Sequence, residues 1–272
     1  MSERAGLPDR ELRRSDKLAA TGHCIATHVT GNSHSYLEAM CNYRPALVNK
    51  SSVINNSIGT EFFSAFRNSP AIVRDTTGSD SLRLVVVSAR PCAAKGLFIL
   101  LAALAKLKAG GTTGFTLDWI GPNDPDDPNV DSTDINAATA QIKDLNLERH
   151  WHWRGPQVNL HEHYPNYHAL ITPSLHEGVA NVMCEAMACG VPIIATRIAD
   201  NELIVEHNKQ GILCQPDNAD DLHDSIAAFS RLTENEKHTM SSRAHKRATE
   251  LFEMSRIIDQ WESLVANIKN KS

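Results

Sequence analysis

Two glutamates lie within one stretch of the sequence, residues 168–196, whose pattern predicts a strand, a loop, a helix and a second strand. Glu177 falls in the loop and Glu185 on the helix, which is predicted over residues 179–188. The first N–H groups of a helix lack partners and carry the positive end of its dipole, so this helix start is suited to an anion. A carboxylate accepts two strong hydrogen bonds from a diol. The stretch therefore predicts a ligand that carries both phosphate and sugar.

Two cations, Arg90 and Lys95, lie in a predicted loop between a buried strand and the helix that follows it. Ligands of doubly wound sheets bind outside the carboxyl ends of the strands, so this loop is expected to face the cleft. Arginine binds phosphate through two parallel hydrogen bonds, and lysine binds it as a point charge. The spacing alone is equally compatible with a surface arginine and a lysine at a helix start.

Other polar residues surround the same region. The histidines are His150, His152, His161, His163, His168 and His176. Their HWH and HEH patterns invite a zinc interpretation, but no cysteine or carboxylate follows at a metal-site spacing, so no metal site is predicted. His176 stays a candidate because it adjoins Glu177 in the cleft loop. Asp200 and Asn201 follow a further strand at the same edge of the cleft, and one of them is predicted to cap the next helix, which is compatible with a role in ligand binding.

From residue 82 onward, apolar strands alternate with helices, which predicts a Rossmann-like, doubly wound parallel sheet covered by helices on both faces. The fold class is therefore α/β. Residues 23–33 and 46–63 predict strands that lead into loops, with a short helix between them. The predicted organisation is a partial α/β unit with its connector (1–66), a polar linker (67–81), the regular domain (82–232) and closing helices (233–272).

Composition narrows the classes of function. The net charge of −5 argues against a nucleic-acid partner held by bulk electrostatics. Six scattered cysteines without a CxxC motif indicate reduced core residues of a cytoplasmic protein. The charged N-terminus has no apolar signal segment, and the longest apolar run, LFILLAALAKL, is too short to span a bilayer.

A set of motifs occupies the region from about residue 84 to residue 229. The motifs are Arg90-x4-Lys95-Gly96, Gly121, Gly155, PSLHEG, Glu177-x7-Glu185 followed by AMACGVP, Ala195-Thr196, the Asp200-Asn201 loop and GILCQPDNADDL. With this combination the chain resembles the retaining, nucleotide-sugar-dependent glycosyltransferases of family 4 (glycosyl transferases group 1), which have the GT-B fold. The resemblance implies transfer of a hexosyl group from a UDP- or GDP-linked sugar to a glycan, lipid or small-molecule acceptor, as in polysaccharide biosynthesis.

The resemblance also implies roles for individual residues. Arg90 and Lys95 would hold the pyrophosphate in place of a metal ion, so that no cofactor or metal is needed. Glu177 would contact the donor sugar and take part in catalysis, and Glu185 would bind the ribose hydroxyls. The remaining donor-binding residues would be Pro156 and Val158 beside the base, His176, and the backbone of Gly178, Val179, Ala180 and Asn181.

The sequence departs from the family pattern in two places. The connector signature Asn-Gly-Val-Asp is replaced by Asn56-Ser57-Ile58-Gly59. In addition, about 80 residues precede the donor domain, and no glycine-rich N-terminal loop is found, so the chain resembles a donor-binding half with a truncated first domain. The alternative function is a nucleotide-sugar-binding module that is inactive alone, either because its gene is truncated or because it is a subunit that needs a separate N-terminal half. Peripheral attachment at the inner face of the membrane stays open.

Two further enzyme classes rank lower. Paired carboxylates also occur in glycoside hydrolases, but there both must flank one scissile bond, whereas Glu185 lies on the predicted phosphate-binding helix. A sugar-nucleotide epimerase with the same fold would need its own acid–base set, and none is apparent in the sequence.

Overall fold

The computed structural model of the protein describes residues 12–68, 81–124 and 132–270. The strands are β1 Val29–Gly31, β2 Ser51–Val53, β3 Leu82–Val87, β4 Phe115–Ile120, β5 Trp151–Gly155, β6 Ala169–Thr172, β7 Ile193–Thr196 and β8 Gly211–Cys214. The helices are α1 Arg14–His23, α2 His34–Tyr43, α3 Thr60–Asn68, α4 Leu97–Ala109, α5 Ser132–Asp144, α6 Leu160–His163, α7 Asn181–Ala188, α8 Asn201–Ile204, α9 Ala219–Ser230, α10 Glu234–Phe252 and α11 Met254–Lys269.

The main sheet has six parallel strands in the order β5-β4-β3-β6-β7-β8. This finding confirms the predicted α/β fold with a parallel sheet. The chain builds outward from β3 in one direction and then returns to add β6 on its other side. A doubly wound sheet opens a crevice where the strand order reverses, at the carboxyl ends of the two central strands. Here that crevice lies beyond β3 and β6.

The strands are apolar and β-branched because both faces of the sheet are buried. On one face, side chains such as Leu84 and Leu117 pack with α4, α5 and α9. On the other face, Val85 and Leu170 pack with α7 and α10. Each fully buried aliphatic side chain contributes roughly 1.5–3 kcal/mol. The two packed layers therefore hold the strand ends, and the loops that leave them, in fixed positions.

The N-terminal residues form a smaller unit in which β1 and β2 pair in parallel. Its core includes Val29, Tyr36, Met40 and Leu47. The unit joins the main domain through a connector, where the Ile58 N–H donates to the Phe252 carbonyl at 3.0 Å. Residues 60–68, at whose start a connector was predicted, form α3 instead. Phe63 is buried in the main core, which explains the helix.

Several other predictions meet the structure only in part. Residues 69–80 of the predicted linker lie outside the described residues. Of the six cysteines, all are free, but only Cys184, Cys189 and Cys214 are buried, so the prediction of core cysteines holds for those three. No helix in the described part of the chain is long and apolar enough to cross a membrane.

Candidate functional site

A cleft of about 320 Å³ lies at the point where the strand order reverses. Its walls come from the loop after β3 and the loop after β6, and they carry Arg90, Lys95, Ser174 and Glu177. Both predicted cations and one predicted glutamate therefore line the same cavity. Its volume lies near the lower end of the range typical of ligand pockets.

Gly96 allows the two loops to approach each other. Its φ of +73° is in the left-handed region, and a Cβ at this position would lie 2.0 Å from the Pro173 carbonyl oxygen. The Leu175 N–H then donates to the Ala94 carbonyl at 2.9 Å, which ties the loops together. Only glycine fits this position without displacing the backbone that carries the site.

Lys95 and Glu177 form an ion pair across the cleft, between Nζ and Oε1. Ser174 Oγ donates to the same Oε1 atom at 2.9 Å. The Ser174 carbonyl in turn accepts from Thr196 Oγ1 at 2.6 Å. The Lys95 and Glu177 side chains are 32% and 18% exposed, so the pair is only partly screened by solvent. The sequence predicted both residues at the cleft but not their contact.

Arg90 sits at the mouth of the cleft with an exposed side chain. Its backbone is fixed by Ser88, whose Oγ accepts from the Arg90 N–H at 3.3 Å and donates to the Arg90 carbonyl at 3.0 Å. The guanidinium therefore projects from an anchored loop and can reach an anion in the cleft.

Helix α7 begins at Asn181, two residues later than predicted, and Ala180 at its N-cap offers no capping side chain.

Glu185 lies in the second turn of α7 and is half-buried. Tyr164 OH is 3.4 Å from Glu185 Oε2 and also donates to the Val182 carbonyl at 3.2 Å. Burial raises the pKa of Glu185, and the charge of Glu61 raises it further, against the lowering effect of the Tyr164 hydrogen bond. Burial also raises the pKa of Tyr164, which stays a neutral donor.

The loop after β5, proposed by resemblance to face a nucleotide base, is exposed, with Val158 80% exposed. Its start is fixed, because the Gly121 N–H donates to the Gly155 carbonyl at 3.0 Å.

Next to this loop, the buried carboxylate of Asp118 accepts hydrogen bonds from three neighbours. The contacts are His152 Nδ1 at 3.0 Å, Arg154 Nε at 2.8 Å and Tyr167 OH at 2.7 Å. This network ties the carboxyl end of β5 to the sheet.

The histidines do not converge. His152 pairs with Asp118, and His150 Nδ1 lies 2.9 Å from the Phe115 carbonyl. His168 Nδ1 accepts from the Arg83 N–H at 2.9 Å, and burial, with help from the charges of Lys237 and Arg83, lowers its pKa to about 4. His176 is exposed. Within the described residues, no group of three potential metal ligands occurs.

Asp200 corrects one prediction. It occupies the N-cap position of α8, but its side chain makes no capping hydrogen bond there. Its buried carboxylate instead accepts from the N–H groups of His34, at 2.5 Å, and Ser35, at 2.8 Å. These groups belong to the first turn of α2, whose unpaired N–H groups attract a carboxylate. Asn201 is not a cap either, because its Nδ2 donates to the Thr196 carbonyl at 2.8 Å.

Sequence reasoning missed several side chains of the cleft, among them three polar ones. Thr172, Asn32 and Asn56 line it beside the predicted residues. Thr172 Oγ1 is buried and has no hydrogen-bond partner in the described part of the chain. Thr172 could have been found from its place at the end of β6. The two asparagines belong to the N-terminal unit, and their approach depends on tertiary packing that no local pattern encodes.

A larger cavity of about 830 Å³ lies between β2 and α11. Lys50 lines it, but Lys50 Nζ already donates to the carbonyl oxygens of Cys24, at 2.5 Å, and Ala26, at 2.7 Å. We place the functional site in the smaller cleft, because that cleft lies where the strand order reverses and gathers cations and a carboxylate.

Comparisons with known proteins agree with this fold. The family model described as "Glycosyl transferases group 1" matches residues 82–231, more than half of the chain. N-acetyl-alpha-D-glucosaminyl L-malate synthase of Bacillus anthracis is 30% identical over 128 residues, which are 47% of this chain and 33% of that protein. The match therefore spans a third of the relative's own length.

Solved structures share the fold over almost the whole chain. The HepE protein of Anabaena, solved with UDP, has a TM-score of 0.82 and 20% identity, covering 98% of this chain and 71% of that one. A glycosyltransferase from Rickettsia africae ESF-5 has a TM-score of 0.79 and 19% identity, covering 98% and 70% respectively. Identities this low extend the fold to this chain and nothing finer.

Proposed function

This chain belongs to the family of glycosyl transferases group 1, and we propose that it transfers a sugar from a nucleoside diphosphate sugar to an acceptor hydroxyl with retention of configuration. The observation that carries the proposal is the cleft beyond β3 and β6, which Arg90 lines and in which Lys95 pairs with Glu177. The acceptor is a glycan, a lipid or a small molecule. The Anabaena HepE structures contain UDP and UDP-glucose, which supports a UDP-linked donor.

The diphosphate of the donor binds between the two cations and the start of α7. Arg90 supplies a bidentate fork and Lys95 a point charge. The first N–H groups of α7, which no side chain caps, add a further site for negative charge. When the bond between the sugar and the diphosphate breaks, negative charge grows on the departing phosphate. Fixed positive groups stabilise that charge in the transition state without a metal ion.

Glu177 is the residue proposed to contact the sugar. Its Oε1 atom accepts hydrogen bonds from both Lys95 and Ser174, so the carboxylate has a fixed orientation. Its Oε2 atom can then accept hydrogen bonds from sugar hydroxyls. Lys95 is thereby shared between Glu177 and the diphosphate. In the free protein the charges of Lys95 and Glu177 compensate each other. When the donor binds, the Lys95 ammonium also contacts the diphosphate.

Glu185 is proposed to bind the ribose hydroxyls. The loop that contains Pro156 and Val158 is proposed to contact the base. Tyr164 holds one oxygen of Glu185, which leaves the other for a diol. His176 and the backbone of residues 178–181 complete the donor site. A preference for UDP over 2′-deoxy-UDP that disappears in Glu185→Gln would support this assignment, and equal binding of both nucleotides by the parent would refute it.

Donor turnover tests the proposal. The purified chain is incubated with UDP- and GDP-sugars in EDTA, and release of nucleoside diphosphate is measured with and without candidate acceptors. Release from a sugar nucleotide in EDTA supports a metal-independent transferase. Release only after Mg²⁺ or Mn²⁺ is added would contradict the metal-free mechanism. Binding without release would favour the alternative of a nucleotide-sugar-binding module that acts with a separate protein.

A further inference from the structure

Two asparagines of the N-terminal unit line the cleft beside the loops after β3 and β6. Asn32 follows β1 and Asn56 lies in the connector after β2, and both line the cavity that contains Lys95 and Glu177. Neither residue lies in the region matched by the family model. We propose that Asn32 and Asn56 bind hydroxyl groups of the transferred sugar and so select which sugar the enzyme accepts. This inference rests on the proposed function.

The position of Asn32 is fixed from both sides. It is only 7% exposed and lies between β1 and the first turn of α2. The Asp200 carboxylate holds that turn through the N–H groups of His34 and Ser35. The Ile54 N–H donates to the Gly31 carbonyl at 2.9 Å on the other side. Asn32 therefore faces the cleft from an anchored backbone.

Asn56 contacts the main domain directly. Its Nδ2 donates to Asn181 Oδ1 at 3.1 Å, and Asn181 is the first residue of α7. A carboxamide has two donor hydrogens and one acceptor oxygen, so this contact leaves the Asn56 oxygen and a second hydrogen for a ligand. The two asparagines thus offer both donors and acceptors, which matches the chemistry of sugar hydroxyls.

Thr172 provides a second, independent observation. Its side-chain oxygen is buried at the edge of the same cleft, and none of the described residues hydrogen-bonds to it. Buried hydroxyls nearly always have a partner. A ligand with hydroxyl groups would supply one. The charged groups that suit phosphate are Arg90 and Lys95, whereas Thr172, Asn32 and Asn56 are neutral and suit hydroxyl groups.

Calorimetric titration with UDP, UDP-glucose and UDP-N-acetylglucosamine tests the inference. The variants are Asn32→Ala and Asn56→Ala, and Asn55→Ala is the matched control because Asn55 lies in the same connector but does not line the cleft. One neutral hydrogen bond corresponds to roughly a three- to tenfold loss of affinity. We expect that loss for the UDP-sugar that the parent binds more tightly, with UDP itself changed less than about twofold.

The outcomes separate the inference from the proposed function. Equal losses for UDP and UDP-sugar would assign the asparagines a structural role and overturn the inference. Unchanged UDP-sugar binding, or an effect only on the KM of the acceptor, would also overturn it while leaving the donor site intact. A parent that binds neither these three ligands nor GDP-linked sugars refutes both. Asn56 is half-buried, so its variant keeps the test available if Asn32→Ala does not fold.

Discussion

Replacing Lys95 by alanine should weaken binding of UDP strongly. The Lys95 ammonium lies in the cleft beside Glu177 and is 32% exposed. Hydrogen bonds to charged groups contribute about 1.5–3 kcal/mol. A tenfold change in affinity corresponds to about 1.4 kcal/mol, so the Kd for UDP should rise roughly 10- to 150-fold.

The partner of Lys95 should respond in the opposite direction. Glu177 competes with the diphosphate for the same ammonium and places a negative charge in the cleft. Glu177→Gln should therefore bind free UDP more tightly. An ion pair that is partly exposed is worth about 0–1 kcal/mol, which limits the gain to roughly fivefold. The same variant should lose sugar transfer, because Glu177 is proposed to orient the sugar.

Isothermal titration calorimetry with UDP in EDTA, at one fixed ionic strength, measures both effects. Lys106→Ala is the matched control, because Lys106 pairs with the exposed Asp220 and does not line the cleft. Its Kd should equal that of the parent. The reasoning is refuted if Lys95→Ala binds UDP like the parent, or if Glu177→Gln loses as much affinity as Lys95→Ala.

Three further predictions concern the framework of the site. Burial raises the pKa of Glu185 above its ordinary value of about 4.3, so its ionisation costs stability as the pH rises through the raised pKa. Glu185→Gln should therefore be more stable than the parent at pH 7 in thermal unfolding, and this gain should be absent below about pH 4.3. Gly96→Ala should lower the free energy of unfolding in urea by more than about 2 kcal/mol, because its Cβ would clash with the Pro173 carbonyl. Gly111→Ala, which has a φ of +89° but open space around its Cβ, should lower it by only about 1 kcal/mol. Equal losses would contradict the loop contact. Asp200→Ala should lower the free energy of unfolding by about 0.5–2 kcal/mol and speed amide hydrogen exchange in the first turn of α2, because the carboxylate binds N–H groups of that turn. Unchanged exchange would count against this contact.

The parts of the site that local sequence encodes could be predicted. Arg90, Lys95 and Glu177 each lie in a loop that directly follows an apolar strand, and parallel strands bring such loops to one edge of the sheet. The fold class could also be predicted from the β-branched strands, because buried parallel sheets need continuous apolar runs. Helix boundaries were less accurate, as the later start of α7 shows.

Contacts between distant segments were not predictable from spacing. Asp200 binds N–H groups of α2 that lie 166 and 165 residues away in the chain. A carboxylate before a short helix looks like the cap of that helix, and only the packing of the N-terminal unit reveals its other partner. The approach of Asn56 to Asn181 across 125 residues has the same origin.

A crystal structure of the chain with UDP tests the central claim most directly. The account predicts the diphosphate between Arg90 and Lys95 at the start of α7, with the ribose hydroxyls on Glu185. Nucleotide bound instead in the cavity between β2 and α11, with the cleft beyond β3 and β6 empty, would contradict it.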